Sequence, residues 1–161
     1  TKGGKEFESG GSTGDGTDMS MSADGRYVTF VGQTTTVVAQ LYVRDRTAGT
    51  TTLVSTATGT GGKPGNYATF SGSISPDGHY VAFGTGSTNI VTGAPPYFNT
   101  YVRDLTAATT TLASLTWTGA PITEATGEQA MSNAGVCFQA YAANVVQDTV
   151  GRIGQVYFHP V

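Results

Sequence analysis

This chain is poor in charge, in cysteine and in histidine, and each shortage removes a class of function. Charged residues make up 12% of its 161 positions, about half the share of an ordinary soluble domain. The net charge is −3 and no run of Lys or Arg occurs, so the basic footprint that nucleic acid requires is missing. No apolar stretch approaches the roughly 18 residues that a membrane-spanning helix needs. The single cysteine, Cys137, excludes an internal disulfide. It lies in the apolar run Val136-Cys137-Phe138 and is expected to be a small buried core residue. A reactive thiol would want a histidine beside it, and His79 and His159, the only two, both fall in strand patterns. The Gly-x-Ser-x-Gly text at residues 10–14 lies in the Gly-, Ser- and Thr-rich arm with no apolar period around it, and there is no phosphate loop, so acyl and phosphoryl transfer lack their usual context. The acidic pairs Glu6/Glu8 and Glu124/Glu128 fall in loops. No secretory signal opens the chain and Thr1 is not an initiator Met, so a mature or truncated form is expected.

What the chain has instead is Gly (23), Tyr (8), Phe (7) and abundant Thr. Threonine, aromatics and valine suit a pleated, half-buried surface, and glycine marks the turns between such strands. The expected class is all-β.

The text also repeats. Residues 75–91 read SPDGHYVAFGTGSTNIV, and residues 100–114 read TYVRDLTAATTTLAS. The same words occur earlier as SADGRYVTFVG (22–32) and QLYVRDRTAGTTTLVS (40–55). A worn third copy reads SNAGVCFQAYAANVV (132–146) and QVYFHPV (155–161). A period near 50 residues signals propellers or arrays. Each unit carries short strands with turn residues at fixed offsets. Asp24-Gly25 and Asp77-Gly78 predict tight hairpins, since Asp bonds its own downstream backbone and Gly takes a positive φ. Asp45 and Asp104 open the next turn of each unit. The repetition of these four aspartates is read as turn chemistry, not as a ring of functional carboxylates. Arg44 and Arg103 beside them are expected to cap the turn or pair locally.

Four antiparallel strands per unit make a propeller blade. The expected division is a loop or arm over residues 1–17, then three blades over about 18–56, 66–115 and 128–161. The third unit stops after three strands, so one outer strand is expected to be missing and an edge left open. Residues 5–9 (KEFES) offer a weak candidate for that strand.

These units resemble the WD40-like, TolB-type β-propeller repeat of bacterial secreted and periplasmic proteins. The resemblance rests on residues 22–30 and 75–83, on Asn89-Ile90-Val91, on Tyr42-Val43-Arg44-Asp45 and on Tyr101-Val102-Arg103-Asp104-Leu105. It covers nearly the whole chain from about Asp18 and implies a propeller fold and an extracellular or periplasmic location. It is nearly silent on activity, because one fold hosts many functions. The third unit departs from the pattern, with Asn133-Ala134-Gly135 in place of Asp-Gly and Phe158-His159-Pro160 in place of Val-Arg-Asp.

Hard cations want several oxygens at alternate positions. Asp15 and Asp18 stand in GDGTD without a following Glu, and Asp148 is what remains of a fuller loop in related repeats. No metal and no cofactor is expected, calcium being the ion these three would suit. Tyr67, Tyr97, Phe98 and Trp117 fall in the long connections, where aromatics can stack on sugar rings or anchor a protein. The expected role is a non-catalytic exported module for protein interaction, its open edge completed by another copy or a larger assembly. The alternatives are a carbohydrate-binding module using the loop aromatics and a scaffold segment of a larger exported enzyme.

Overall fold

The computed structural model describes residues 19–33, 38–142, 145–146 and 154–161. Within them the chain is all-β. Four strands form the first sheet: β1 (Ser20–Met21), β2 (Tyr27–Gly32), β3 (Gln40–Asp45) and β4 (Thr50–Leu53). The second has β5 (Thr69–Ile74), β6 (Tyr80–Thr85), β7 (Asn99–Asp104) and β8 (Thr109–Leu112). The third has β9 (Thr126–Met131), β10 (Gly135–Ala140) and β11 (Gln155–Pro160). Strands pair in chain order and antiparallel throughout, and the three sheets stay separate instead of closing into one barrel. This is the expected partial propeller of three blades, with β11 at the edge where β4 and β8 lie in the other two.

The hairpin words fold as their chemistry requires. Ser75 Oγ donates to Asp77 Oδ1 at 2.6 Å, and the N–H of His79 donates to the same oxygen. Ser22 and Asp24 repeat the pattern, with Arg26 N–H as donor. Gly25 and Gly78 sit at φ +69° and +77°. These bonds favour the carboxylate, so Asp24 and Asp77 are held below the ordinary range, mainly by the hydroxyls of Ser22 and Ser75. Asp45 and Asp104 each accept two backbone N–H bonds in the next turn.

Blades pack face to face. Phe83, Tyr101 and Leu112 turn one face of the second sheet onto Leu41 and Val43 of the first. Ala82 and Val102 turn the other face onto Val136, Phe138 and Tyr157 of the third. First strands are stitched as well: the N–H of Ile74 donates to Ser20 Oγ and that of Met131 to Ser73 Oγ.

Two expectations fail in detail and one is refined. Cys137 is half-buried, not core, because Val136 and Phe138 take the inward positions of β10 and a period of two sends the residue between them to the opposite face. Neither arginine pairs with the neighbouring aspartate. Arg44 donates to Thr51 Oγ1, while Arg103, 5% exposed, donates to the carbonyls of Ala57 and Gly59 and to Thr110 Oγ1. Consecutive strand residues face opposite ways, so Arg103 cannot share a side with Asp104. The ion pair forms instead between Arg26 and Asp45 at 2.7 Å. The first strand of the third blade begins at Thr126, so Glu128 lies in a strand and not in the loop expected for it.

Candidate binding site

The first two sheets place their Asp turns at one end and their long connections at the other. The second sheet's connections are 54–68, before β5, and 86–98, between β6 and β7. Asn66 and Asn89 lock them together. The Asn66 N–H donates to Asn89 Oδ1, Asn66 Nδ2 to Thr88 Oγ1, and the Thr88 N–H back to Asn66 Oδ1. Asn89 Nδ2 reaches the Pro64 carbonyl at 2.8 Å. The Tyr67 N–H donates to Ser87 Oγ. Downstream, Asn99 Nδ2 donates to the carbonyls of Pro95 and Tyr97, fixing the turn that presents Tyr97 and Phe98.

On this frame three aromatic rings meet. Phe70 stacks on Phe98 at 5.7 Å and 18°, and Tyr67 meets Phe98 edge-on at 6.0 Å and 86°. The register of β5 against β6 slips between Thr69 and Gly72; such irregularities re-aim side chains, and here Phe70 turns outward. Gly86 lies beneath Tyr67, where a Cβ would stand 3.3 Å from the ring. Asn66, Tyr67, Gly86, Thr88, Pro96, Tyr97 and Phe98 line a cleft of about 320 Å³. Tyr67, Tyr97 and Phe70 stay 53%, 47% and 45% exposed.

Three of the four expected aromatics therefore share one site. Trp117, on the turn of 116–119, is not among the residues lining it. Phe70 is the residue that sequence reasoning passed over. It follows Thr69 in strand text, and nothing in one sequence announces the slip that turns it out. Asn89 was visible as part of a repeat motif, but its clamp on residues 64–66 was not.

A second surface lies on the far side of the third sheet. Cys137 pairs with Phe158 and Gln139 with Val156, so these four share the face turned away from the second blade. Val156 is 74% exposed and Phe158 56%. A second cleft of about 320 Å³ runs along the first strands, lined by Met19, Ser20, Ser71, Gly72, Ser73, Glu128 and Gln129. Gln129 Nε2 donates to Ser71 Oγ across it.

Asp15, Asp18 and Asp148 lie outside the described residues, as do residues 5–9. Among the described residues no group of three His, Cys, Asp or Glu stands close enough to hold a metal, and no helix is long and apolar enough to cross a membrane. His79 is exposed, and burial lowers the pKa of His159 below its ordinary value.

No protein-family model matches the sequence, and no curated protein matches it. Among solved structures the fold is similar to the crystal structure of TolB from Acinetobacter baumannii, with a TM-score of 0.52 and 14% sequence identity over 89% of this chain. The chain spans 32% of the length of that one, about a third. At this identity the likeness is one of fold, and the fold is that of TolB-type β-propeller blades.

Proposed function

We propose that this chain is a non-catalytic, exported propeller module that binds another protein chain against the outward face of its third sheet. The observation that carries this reading is a contrast between equivalent faces. In the second sheet Ala82 and Val102 are 0% and 3% exposed because the third blade covers them. The paired positions of the third sheet are Cys137 and Phe158, and Phe158 and its neighbour Val156 stand open. An open apolar sheet face of this kind is an interaction surface. Export is supported by the low charge, the Gly- and Thr-rich text and the repeat resemblance. The aspartates of the repeats are engaged in turn hydrogen bonds, which favours a structural role for them over a catalytic one.

The test is native mass spectrometry of the chain beside its denatured mass. The expected result is an oligomer or a stable complex that Phe158→Glu dissociates while circular dichroism stays unchanged. A folded monomer with a dispersed NMR spectrum overturns it. A natural polypeptide much longer than 161 residues, whose own following blades cover Phe158, shifts the reading to a scaffold segment of a larger exported protein.

A further inference from the structure

We infer that the aromatic cleft at the loop end of the second sheet binds a neutral sugar ring, at a site separate from the sheet face invoked above. Apolar rings that merely cover a blade edge would be drawn under; Tyr67, Phe70 and Tyr97 remain about half exposed. They are held there. The Asn66–Thr88–Asn89 bonds and the Asn99 bonds fix both loops, so little ordering remains to be done when a ligand arrives. Two local peculiarities, the register slip at Phe70 and the absence of a Cβ at Gly86, both place rings at this spot.

The chemistry of the lining selects the ligand. None of its seven residues is Asp, Glu, Lys, Arg or His, so a charged ligand would lose its hydration and find no counter-charge. What the cleft offers is ring faces with hydroxyl and amide groups beside them: Tyr67, Tyr97, Thr88 and Asn66. A pyranose has the matching surface, with apolar C–H groups on one face and hydroxyls at its rim. Stacking on an aromatic ring satisfies the first, and the phenols and amide reach the second. Size decides against a proline-rich peptide. Such peptides need an extended aromatic groove, whereas about 320 Å³ is at the small end of ligand pockets.

Isothermal titration calorimetry and saturation-transfer NMR with neutral trisaccharides of glucose, galactose, mannose and N-acetylglucosamine test this. At least one is expected to bind, with ring protons saturated. Tyr67→Ala and Tyr97→Ala should each weaken binding by about tenfold. Tyr67→Phe should keep most of it, and Trp117→Ala and Phe158→Glu should leave it unchanged. The last variant separates this site from the protein-binding face. The inference is overturned if no trisaccharide binds at millimolar concentration, if Trp117→Ala rather than Tyr67→Ala abolishes binding, or if only a proline-rich peptide binds.

Discussion

Phe83 on β6 stacks on Tyr101 on β7 with ring centroids 5.6 Å apart and planes 22° apart, and neither ring is exposed. The pair recurs in each blade. Phe30 stacks on Tyr42 at 5.7 Å and 22°, and Phe138 meets Tyr157 at 6.0 Å and 36°. In the second and third blades it faces the blade before it, so a local cross-strand pair becomes the wedge between sheets.

Removing that wedge should be costly. Phe83→Ala deletes a fully buried ring between the first two blades and is expected to cost about 3–5 kcal/mol. Phe83→Leu, closer in volume, should cost about half as much or less. Urea denaturation of both variants checks the order.

The stitching between first strands makes a smaller claim. Ser73→Ala leaves the half-buried Met131 N–H without its hydroxyl partner, a loss of about 1–3 kcal/mol. Amide hydrogen exchange should quicken at Met131 first. A Cβ at Gly72, next in β5, would run into the side chain of Leu41, which is fully buried and would have to shift. Gly72→Ala should therefore disrupt the packing of the first two blades more than Ser73→Ala does.

Ala108 sits at φ 55°, and its counterpart in the first blade is Gly49 at φ 68°. A left-handed residue with a Cβ carries about 1–2 kcal/mol of strain, of which glycine gives back about 0.4–1 through the entropy of the unfolded chain. Ala108→Gly is expected to raise stability by up to about 1 kcal/mol, and the melting temperature by about 2–4 °C. Gly49→Ala should lower both. Differential scanning calorimetry reads the two signs together.

Acid should act in two stages. Burial lowers the pKa of His159 from 6.5, so the unfolded chain takes up this proton at a higher pH than the folded one. Stability then declines as pH falls below about 6.5 and levels off beneath the folded value. His159→Gln should remove that stage. Asp45 is held far below its ordinary range by the Arg26 guanidinium and the Ala48 N–H, and Asp24 and Asp77 are lowered too. Their contribution is present above about pH 4 and is lost as pH falls through their folded values. Denaturation midpoints between pH 8 and 2, with and without His159→Gln, resolve the stages.

At high pH, Tyr101 is the group to watch. Burial pushes its phenol up to about 12, so its ionisation should lag behind that of a free tyrosine side chain. Absorbance at 295 nm, compared between the chain and Tyr101→Phe, should show the Tyr101 signal appearing only with unfolding.

The hairpins, the blade count and the pairing of second with third strands could be read from the sequence because they are local. An Asp-Gly turn, a Ser two residues before the Asp and a period of two act within a dozen residues, and each unit repeats them. The aromatic loops were legible as a composition, which is why Tyr67, Tyr97 and Phe98 could be named while their meeting with Phe70 could not. That meeting needs a slipped register in β5 and a cross-loop clamp by Asn89, set by partners between 11 and 23 residues away in the chain. The same holds for Cys137 and Arg103. The residues at these positions were known from the start, but which face each turned to, and what waited there, depended on where the neighbouring blade and the 56–62 connection came to rest. Periodicity encodes alternation; only packing between sheets decides which of the two faces is the inside.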